Sequence, residues 1–281
     1  MHKSFTAKGA NPAAIHLFTV SGFESLKDDP FPGARALAKG QGFTGKAGQV
    51  VLQAGTDGQL SHVLAGLGDG RDALGVAAIS AKLPEGDYVI AADGGLGLAQ
   101  IAAGWADGAY RFDRYLKDKA KPPRLVIPAG EESDALSREA DAIAHLRDLV
   151  NTPASDMGPD ALQGEVAALA KLYGAKLTAT VGDDLLKANY PLVHAVGSAA
   201  TFAPRFLELE WGDPSHPKLA LVGKGVTFDS GGLNIKGGDG MRIMKKDMGG
   251  SAHVIALSEL IMGSGLKVHL KLYVPAVENA I

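Results

Sequence analysis

Between Gly223 and Gly250 the chain reads GKGVTFDSGGLNIKGGDGMRIMKKDMGG, with three aspartates and four lysines set among glycines. Backbone freedom combined with that much fixed charge suits a site better than a packing segment. Asp229 and Asp247 stand close to glycines, where carboxylates can converge on a cation, and hard oxygen ligands suit Mg2+, Mn2+ or Zn2+. Each also reads as local punctuation: Asp229 as an Asx-turn ahead of Ser230 and Gly231, Asp247 as a cap for the apolar run that follows. Lys236 lies between glycine runs, where an ammonium could stabilise a developing oxyanion, or could simply be solvated. Lys224 abuts the apolar run LALV, and burial there would free its amine to act as base or ligand.

Other motifs carry less. GQGFTGKA at 40–47 nearly matches a phosphate-binding loop, but Ala47 offers no hydroxyl and a helix-like stretch precedes it, so a surface turn is expected. The sequence beginning Gly223-Lys224-Gly225 fails the dinucleotide fingerprint at Phe228, and GLGDG at 66–70 reads as a turn at a strand end. Ser230 does not sit in a nucleophile elbow. Of the eight histidines, His145 falls on a helix, His194 and His269 in strand-like runs, and His253 alone on a helix without an H-E-x-x-H partner. All are expected to be structural.

The elements that must position these residues form two α/β domains. Strand-like runs (IHLFTV, QVVLQAG, HVLAGLGD, DYVIAADG, RLVIPAG) alternate with helical patterns up to about residue 130; the clearest helix carries Leu98, Ile101, Ala102, Trp105, Ala109 and Phe112. Residues 131–150 predict a connector helix with acids in its first turn and Pro153 beyond its end. The second domain, 151–281, opens with a helix striped by Leu162, Val166, Leu169 and Tyr173. Strand-like KLTATV, LVHAV and RFLELEW follow it. LALV at 219–222 reads as a strand buried on both faces, SAHVIALSELIM as a buried helix and VHLKLYV as a strand. The charged stretch thus begins at the carboxyl end of a strand, where open α/β sheets place their ligands.

Composition narrows the class. The 281 residues, 46% hydrophobic, suffice for two cores. Lys+Arg 28 against Asp+Glu 31 gives a net charge of −3, which gives no bulk support to nucleic-acid or anionic-membrane binding. With no cysteine, disulfides, thiolate nucleophiles and Cys-ligated metals are excluded. No apolar run approaches ~18 residues and the N-terminus lacks a signal-like core, so a cytoplasmic protein is expected.

GKGVTFDSGG, the lysine seven residues after its aspartate, and MKKDMGG together resemble the leucyl aminopeptidase (cytosol aminopeptidase) family of dinuclear metallo-exopeptidases. GAYRFDRY at 108–115 and LVNTP at 149–153 resemble that family's interdomain flanks. The resemblance implies a macro-like N-terminal domain (1–130), a connector helix and a catalytic domain with a mixed sheet, usually assembled as a hexamer. By the same resemblance Lys224, Asp229 and Asp247 are metal ligands, with Asp229 bridging. Lys236 binds the scissile carbonyl and its oxyanion, and Met244 lines the pocket for the substrate's N-terminal side chain. The implied cofactors are two divalent ions (Mn2+ or Zn2+), and the implied substrates are peptides losing their N-terminal residue, leucine-type residues included. Two such ions ~3.5–4 Å apart share and acidify a water. The family's remaining carboxylate ligands come from an N-T-D-A-E-G-R segment roughly fifty residues further on that this sequence lacks. The expectation is therefore an N-terminal portion of a longer enzyme, weakly active or inactive alone; the alternative is a degenerate relative acting as a binding or oligomeric protein.

Overall fold

The computed structural model describes residues 1–70 and 72–281. Two compact units divide the chain, Met1–Asp141 and Ala142–Ile281.

In the first unit the order is β1 (Phe5–Thr6), β2 (Ala13–Thr19), α1 (Val20–Glu24), α2 (Ala34–Gly40), β3 (Val50–Ala54), β4 (Leu60–Gly68), α3 (Ala73–Ser80), β5 (Gly86–Ala92), α4 (Leu98–Ala109) and β6 (Pro123–Val126). Its six-stranded sheet runs β1-β6-β5-β2-β4-β3, parallel throughout except for the β3–β4 pair. The apolar strand runs bury Ile15, Leu17, Val63, Ala65 and Leu125 against α3 and α4, since a sheet flanked by crossover helices must be apolar where they cover it. Helix α4 buries Ile101, Ala102, Trp105 and Ala109 as the sequence predicts, and Trp105 Nε1 donates to the Pro123 carbonyl at 3.0 Å. The helix ends at Ala109, so Phe112, placed on it by its spacing, lies beyond it: Tyr110 turns to an extended conformation. A side chain at Gly108 would collide with the Ala77 carbonyl, so glycine there lets α4 approach α3.

Helix α5 (Glu131–Asn151) carries Glu131, Glu132 and Asp134 in its first turn, where carboxylates oppose the positive end of the dipole. The second unit then adds α6 (Pro159–Tyr173), β7 (Lys176–Val181), α7 (Asp184–Lys187), α8 (Pro191–Gly197), β8 (Arg205–Trp211), β9 (Lys218–Val222), β10 (Gly225–Asp229) and α9 (Gly238–Met241). A 3-10 segment at Met244–Met248, α10 (Gly249–Gly263) and β11 (His269–Asn279) complete it. Strand β11 lies between β8, antiparallel to it, and both β9 and β10, parallel to it; β7 pairs antiparallel with the far side of β8. Leu207, Leu209, Leu270, Leu272 and Val274 of the sheet pack with Leu162 and Val166 of α6 and with Ala252 and Ile255 of α10.

Two sequence expectations fail here. LVHAV is helical, not a strand: Pro191 occupies the first turn of α8, where its missing N–H costs nothing and its fixed φ favours a helix, and this overrides the β-branched valines. His194 therefore sits on a helix, with Nε2 3.0 Å from Asp183 Oδ1. LALV is a strand, but not one buried on both faces. Strand β9 alternates exposed and half-buried residues, and Val222 is 68% exposed. Its only ladder partner among the described residues is β11.

His145, expected to be structural, ties three helices of this unit together. Its Nδ1 lies 2.8 Å from Glu259 Oε2 on α10 and its Nε2 3.5 Å from Glu165 Oε2 on α6. Hydrogen bonding to Glu165 and Glu259 outweighs the cost of burial and raises the imidazole to about 9. Because the folded value exceeds the ordinary 6.5, the stabilisation is complete below about pH 6.5 and lost as pH climbs through about 9. It amounts to at most on the order of 3 kcal/mol, at about 1.4 kcal/mol per pKa unit. Denaturant melts across pH 6–10 should show this decline in the wild type and a flattened profile in His145→Gln. The same slope in the variant would assign it to another group.

Candidate metal centre

Strands β9 and β10 are two halves of one edge strand. Residues 218–222 pair with 269–273 of β11, and 225–229 pair with 276–279. The ladder breaks at Gly223 and Lys224, where the register places Pro275, without an N–H to donate, on β11, and the first turn of α10 packs against the break. The Ser251 amide donates to the Lys224 carbonyl at 2.9 Å, and a Cβ on Gly223 would stand 2.5 Å from Val254 Cγ2 and 2.6 Å from the Gly250 carbonyl. Only glycine lets the strand pass the first turn of the helix this closely. Below the break the register shifts between Val226 and Phe228, a bulge at Thr227. Residues five apart on a regular strand face opposite sides, and one bulge residue restores the parity between positions 224 and 229.

The 3-10 segment Met244–Met248 packs against β10 and brings Asp247 to the break. Lys224 Nζ lies 2.7 Å from Asp247 Oδ2. That oxygen is buried, yet it makes no hydrogen bond: the ammonium is close enough for ion pairing but poorly directed. The burial expected for the Lys224 amine is absent, since its side chain is 58% exposed on an edge strand. At the far end of β10, Lys236 Nζ donates to Asp229 Oδ2 at 2.7 Å. Oδ1 of Asp229 accepts from the Gly231 amide at 2.9 Å and from Asn279 Nδ2 at 2.7 Å. Burial works against the Asp229 charge, but the Lys236, Gly231 and Asn279 hydrogen bonds hold its carboxyl below the usual carboxylate range.

The structure thus brings the four charged candidates together as two lysine–aspartate pairs along one short strand. Asp229 does make the Asx-turn to Gly231 that its sequence context allows, while its other oxygen faces a lysine. For Asp247 the capping role finds no support: the N-cap position of α10 is Met248, without a side-chain cap bond. Met244 is partly buried at the start of the 3-10 segment. Ser230 donates its hydroxyl to the Asn279 carbonyl at 2.9 Å. Sequence reasoning missed two residues. Lys245 Nζ donates to the Asn151 carbonyl at the end of α5 at 2.7 Å, and Asn279 stands fifty positions from the aspartate it contacts. Strand register alone reveals the second, and nothing in residue spacing signals it.

Among the described residues no group of three or more His, Cys, Asp or Glu side chains is placed to hold a metal ion. The donors here are instead two carboxylates and an amine. A buried carboxylate oxygen that is ion-paired but makes no hydrogen bond can still accept a metal cation, and the O,O,N set is compatible with Mn2+ or Zn2+. The residues present therefore fit part of a divalent-ion site.

Known proteins match nearly the whole chain. Residues 144–281 match the profile of the cytosol aminopeptidase family, catalytic domain, and residues 13–128 that of the M17 aminopeptidase N-terminal domain. The chain belongs to the cytosol aminopeptidase family. A probable cytosol aminopeptidase of Corynebacterium efficiens is 34% identical over 257 residues, covering 85% of this chain and 51% of that protein. The crystal structure of cytosol aminopeptidase from Coxiella burnetii superposes with a TM-score of 0.86 at 34% identity, covering 98% of this chain and 60% of its own. The bottromycin maturation enzyme BotP, solved in complex with Mn, gives a TM-score of 0.79 at 28% identity over 96% of this chain and 60% of its own. The two-domain α/β fold is that of the aminopeptidases, and the chain spans about half the length of the curated relatives it matches. None of the described helices is long and apolar enough to cross a membrane.

Proposed function

We propose that the protein carrying this chain is a metal-dependent aminopeptidase that releases N-terminal residues, leucine-type among them, from peptides. The observation that carries this reading is Asp247 Oδ2, buried without a hydrogen bond beside Lys224 at the break between β9 and β10. Lys224, Asp229 and Asp247 would contribute donors to two divalent ions, Mn2+ or Zn2+. Ions held there supply Lewis acidity and a water acidified for attack on the peptide carbonyl. Without them, each aspartate is neutralised by one lysine, which keeps two nearby carboxylates from destabilising the loop.

Lys236 is the electrostatic group. Its ammonium, 32% exposed and resting on Asp229 Oδ2, would hold the negative charge that develops on the carbonyl oxygen. Met244, on the 3-10 segment, would contact the N-terminal side chain of the substrate. A cytoplasmic homo-oligomer, a hexamer as in the family it resembles, belongs to the same reading.

The experiment compares leucine p-nitroanilide with its N-acetylated form, before and after chelation and with Mn2+ or Zn2+ restored. Hydrolysis that needs both the free amine and the restored metal is the expected result. Hydrolysis indifferent to either, or none after metal is restored, would overturn the reading.

A further inference from the structure

Asn279 ends β11 as the register partner of Asp229 on β10. It holds the strand-to-loop junction by both its backbone and its side chain. Its carbonyl accepts the Ser230 amide and the Ser230 hydroxyl, each at 2.9 Å. Its side-chain Nδ2 donates to Asp229 Oδ1 at 2.7 Å. The amide oxygen lies over Gly232, where an added Cβ would stand 2.9 Å from it, so the absence of a side chain there makes room for Asn279.

The consequence for Asp229 is an asymmetry between its two oxygens. Oδ1 is occupied by two neutral donors, Asn279 Nδ2 and the Gly231 amide, while Oδ2 accepts from the Lys236 ammonium, its one hydrogen-bond partner among the described residues. A neutral donor fixes the plane of the carboxylate without cancelling its charge. A lysine in place of Asn279 would neutralise the carboxylate, and an aspartate would repel it. Partners that hold a ligand from behind are what set its orientation and basicity toward a metal.

We infer that Asn279 is a positioning residue: it locks Asp229 so that Oδ2 is the oxygen presented to a cation, with the full carboxylate charge behind it. This rests on the reading of Asp229 as a metal ligand, and the test separates the two. Mn2+ is titrated into the metal-free protein, and the visible spectrum of the Co2+-saturated protein is recorded, for wild type, Asn279→Ala, Ser230→Ala and Asp229→Asn.

The expected result is a ten- to a hundredfold loss of Mn2+ affinity in Asn279→Ala, the range typical of such outer partners. An altered Co2+ spectrum at saturation should accompany it, a readout that loss of stability alone leaves unmoved. Ser230→Ala removes one bond to the same Asn279 carbonyl but leaves the amide on Asp229 in place, so it should bind Mn2+ like the wild type. Wild-type affinity and spectrum in Asn279→Ala, with binding lost in Asp229→Asn, would reduce Asn279 to a strand-end clamp. Equal losses in Asn279→Ala and Ser230→Ala would do the same. A wild type that binds no Mn2+, or an Asp229→Asn variant that binds it unchanged, would remove Asp229 as a ligand and this assignment with it. Should Asn279→Ala fail to fold, Asn279→Ser, too short to reach Asp229 directly, takes its place with the same expectations.

Discussion

Replacing Lys236 with alanine is expected to lower kcat on a leucyl amide by roughly 10²–10³-fold, the range seen when one preorganised oxyanion donor is lost. KM should change far less, because a charge aimed at the developing oxyanion acts in the transition state and not on the resting amide. The structure adds a second consequence. Lys236 also neutralises Asp229 Oδ2 at 2.7 Å, so its removal leaves a bare carboxylate, and Mn2+ should bind Lys236→Ala at least as tightly as the wild type. Steady-state kinetics and metal titration on one preparation check both halves. Unchanged turnover would take Lys236 out of the mechanism, and weakened metal binding would make it part of the ion site.

The second large effect belongs to Asp247. Asp247→Asn keeps the volume of the side chain and removes its charge, so the packing of the 3-10 segment against β10 is preserved. Lys224 loses its ion partner, but at 58% exposure its ammonium is solvated, and the amide that replaces the carboxylate takes away a buried charge whose oxygen made no hydrogen bond. Stability should therefore barely move. Metal affinity should fall by roughly a hundredfold or more, beyond the range caused by losing an outer partner. Elemental analysis after gel filtration should find the metal content reduced, and undiminished stoichiometry would remove Asp247 from the ligand set.

What the sequence made legible is what local chemistry dictates. The density of glycine and charge between 223 and 250 marks the loop system, and the stripe of Leu162, Val166 and Leu169 marks α6, closed by Gly174 in a left-handed conformation. KLTATV and RFLELEW are strands as their alternation predicts. Errors arose where a non-local neighbour or a single backbone rule decides. Pro191 turns LVHAV into a helix against the preference of its valines. LALV has the composition of a doubly covered strand, but burial depends on what lies beside it, and only β11 pairs with it among the described residues. The pairing of Lys224 with Asp247 and of Lys236 with Asp229 was likewise beyond spacing arguments. The first pair requires the 3-10 segment to fold onto β10; the second requires the loop 230–235 to return, as the Lys236 amide does when it donates to the Ser230 carbonyl. Asn279 has no signature at all until the β10–β11 register is known.

The broken edge strand gives β11 the part of a ruler. Lys224 stands at the break and Asp229 ends the second piece, and both pieces take their register from the run from His269 to Asn279, with Tyr273 opposite Val222 and Ala276 opposite Gly225. The phase between the two pieces is thus matched by the number of residues between Tyr273 and Ala276, positions that carry none of the chemistry. Lengthening β11 by one residue there would leave every charged group in place in the sequence and yet pull β9 and β10 out of step and strain the break that holds Lys224, so an alignment gap at that point would bear on lost activity much as the loss of an aspartate does.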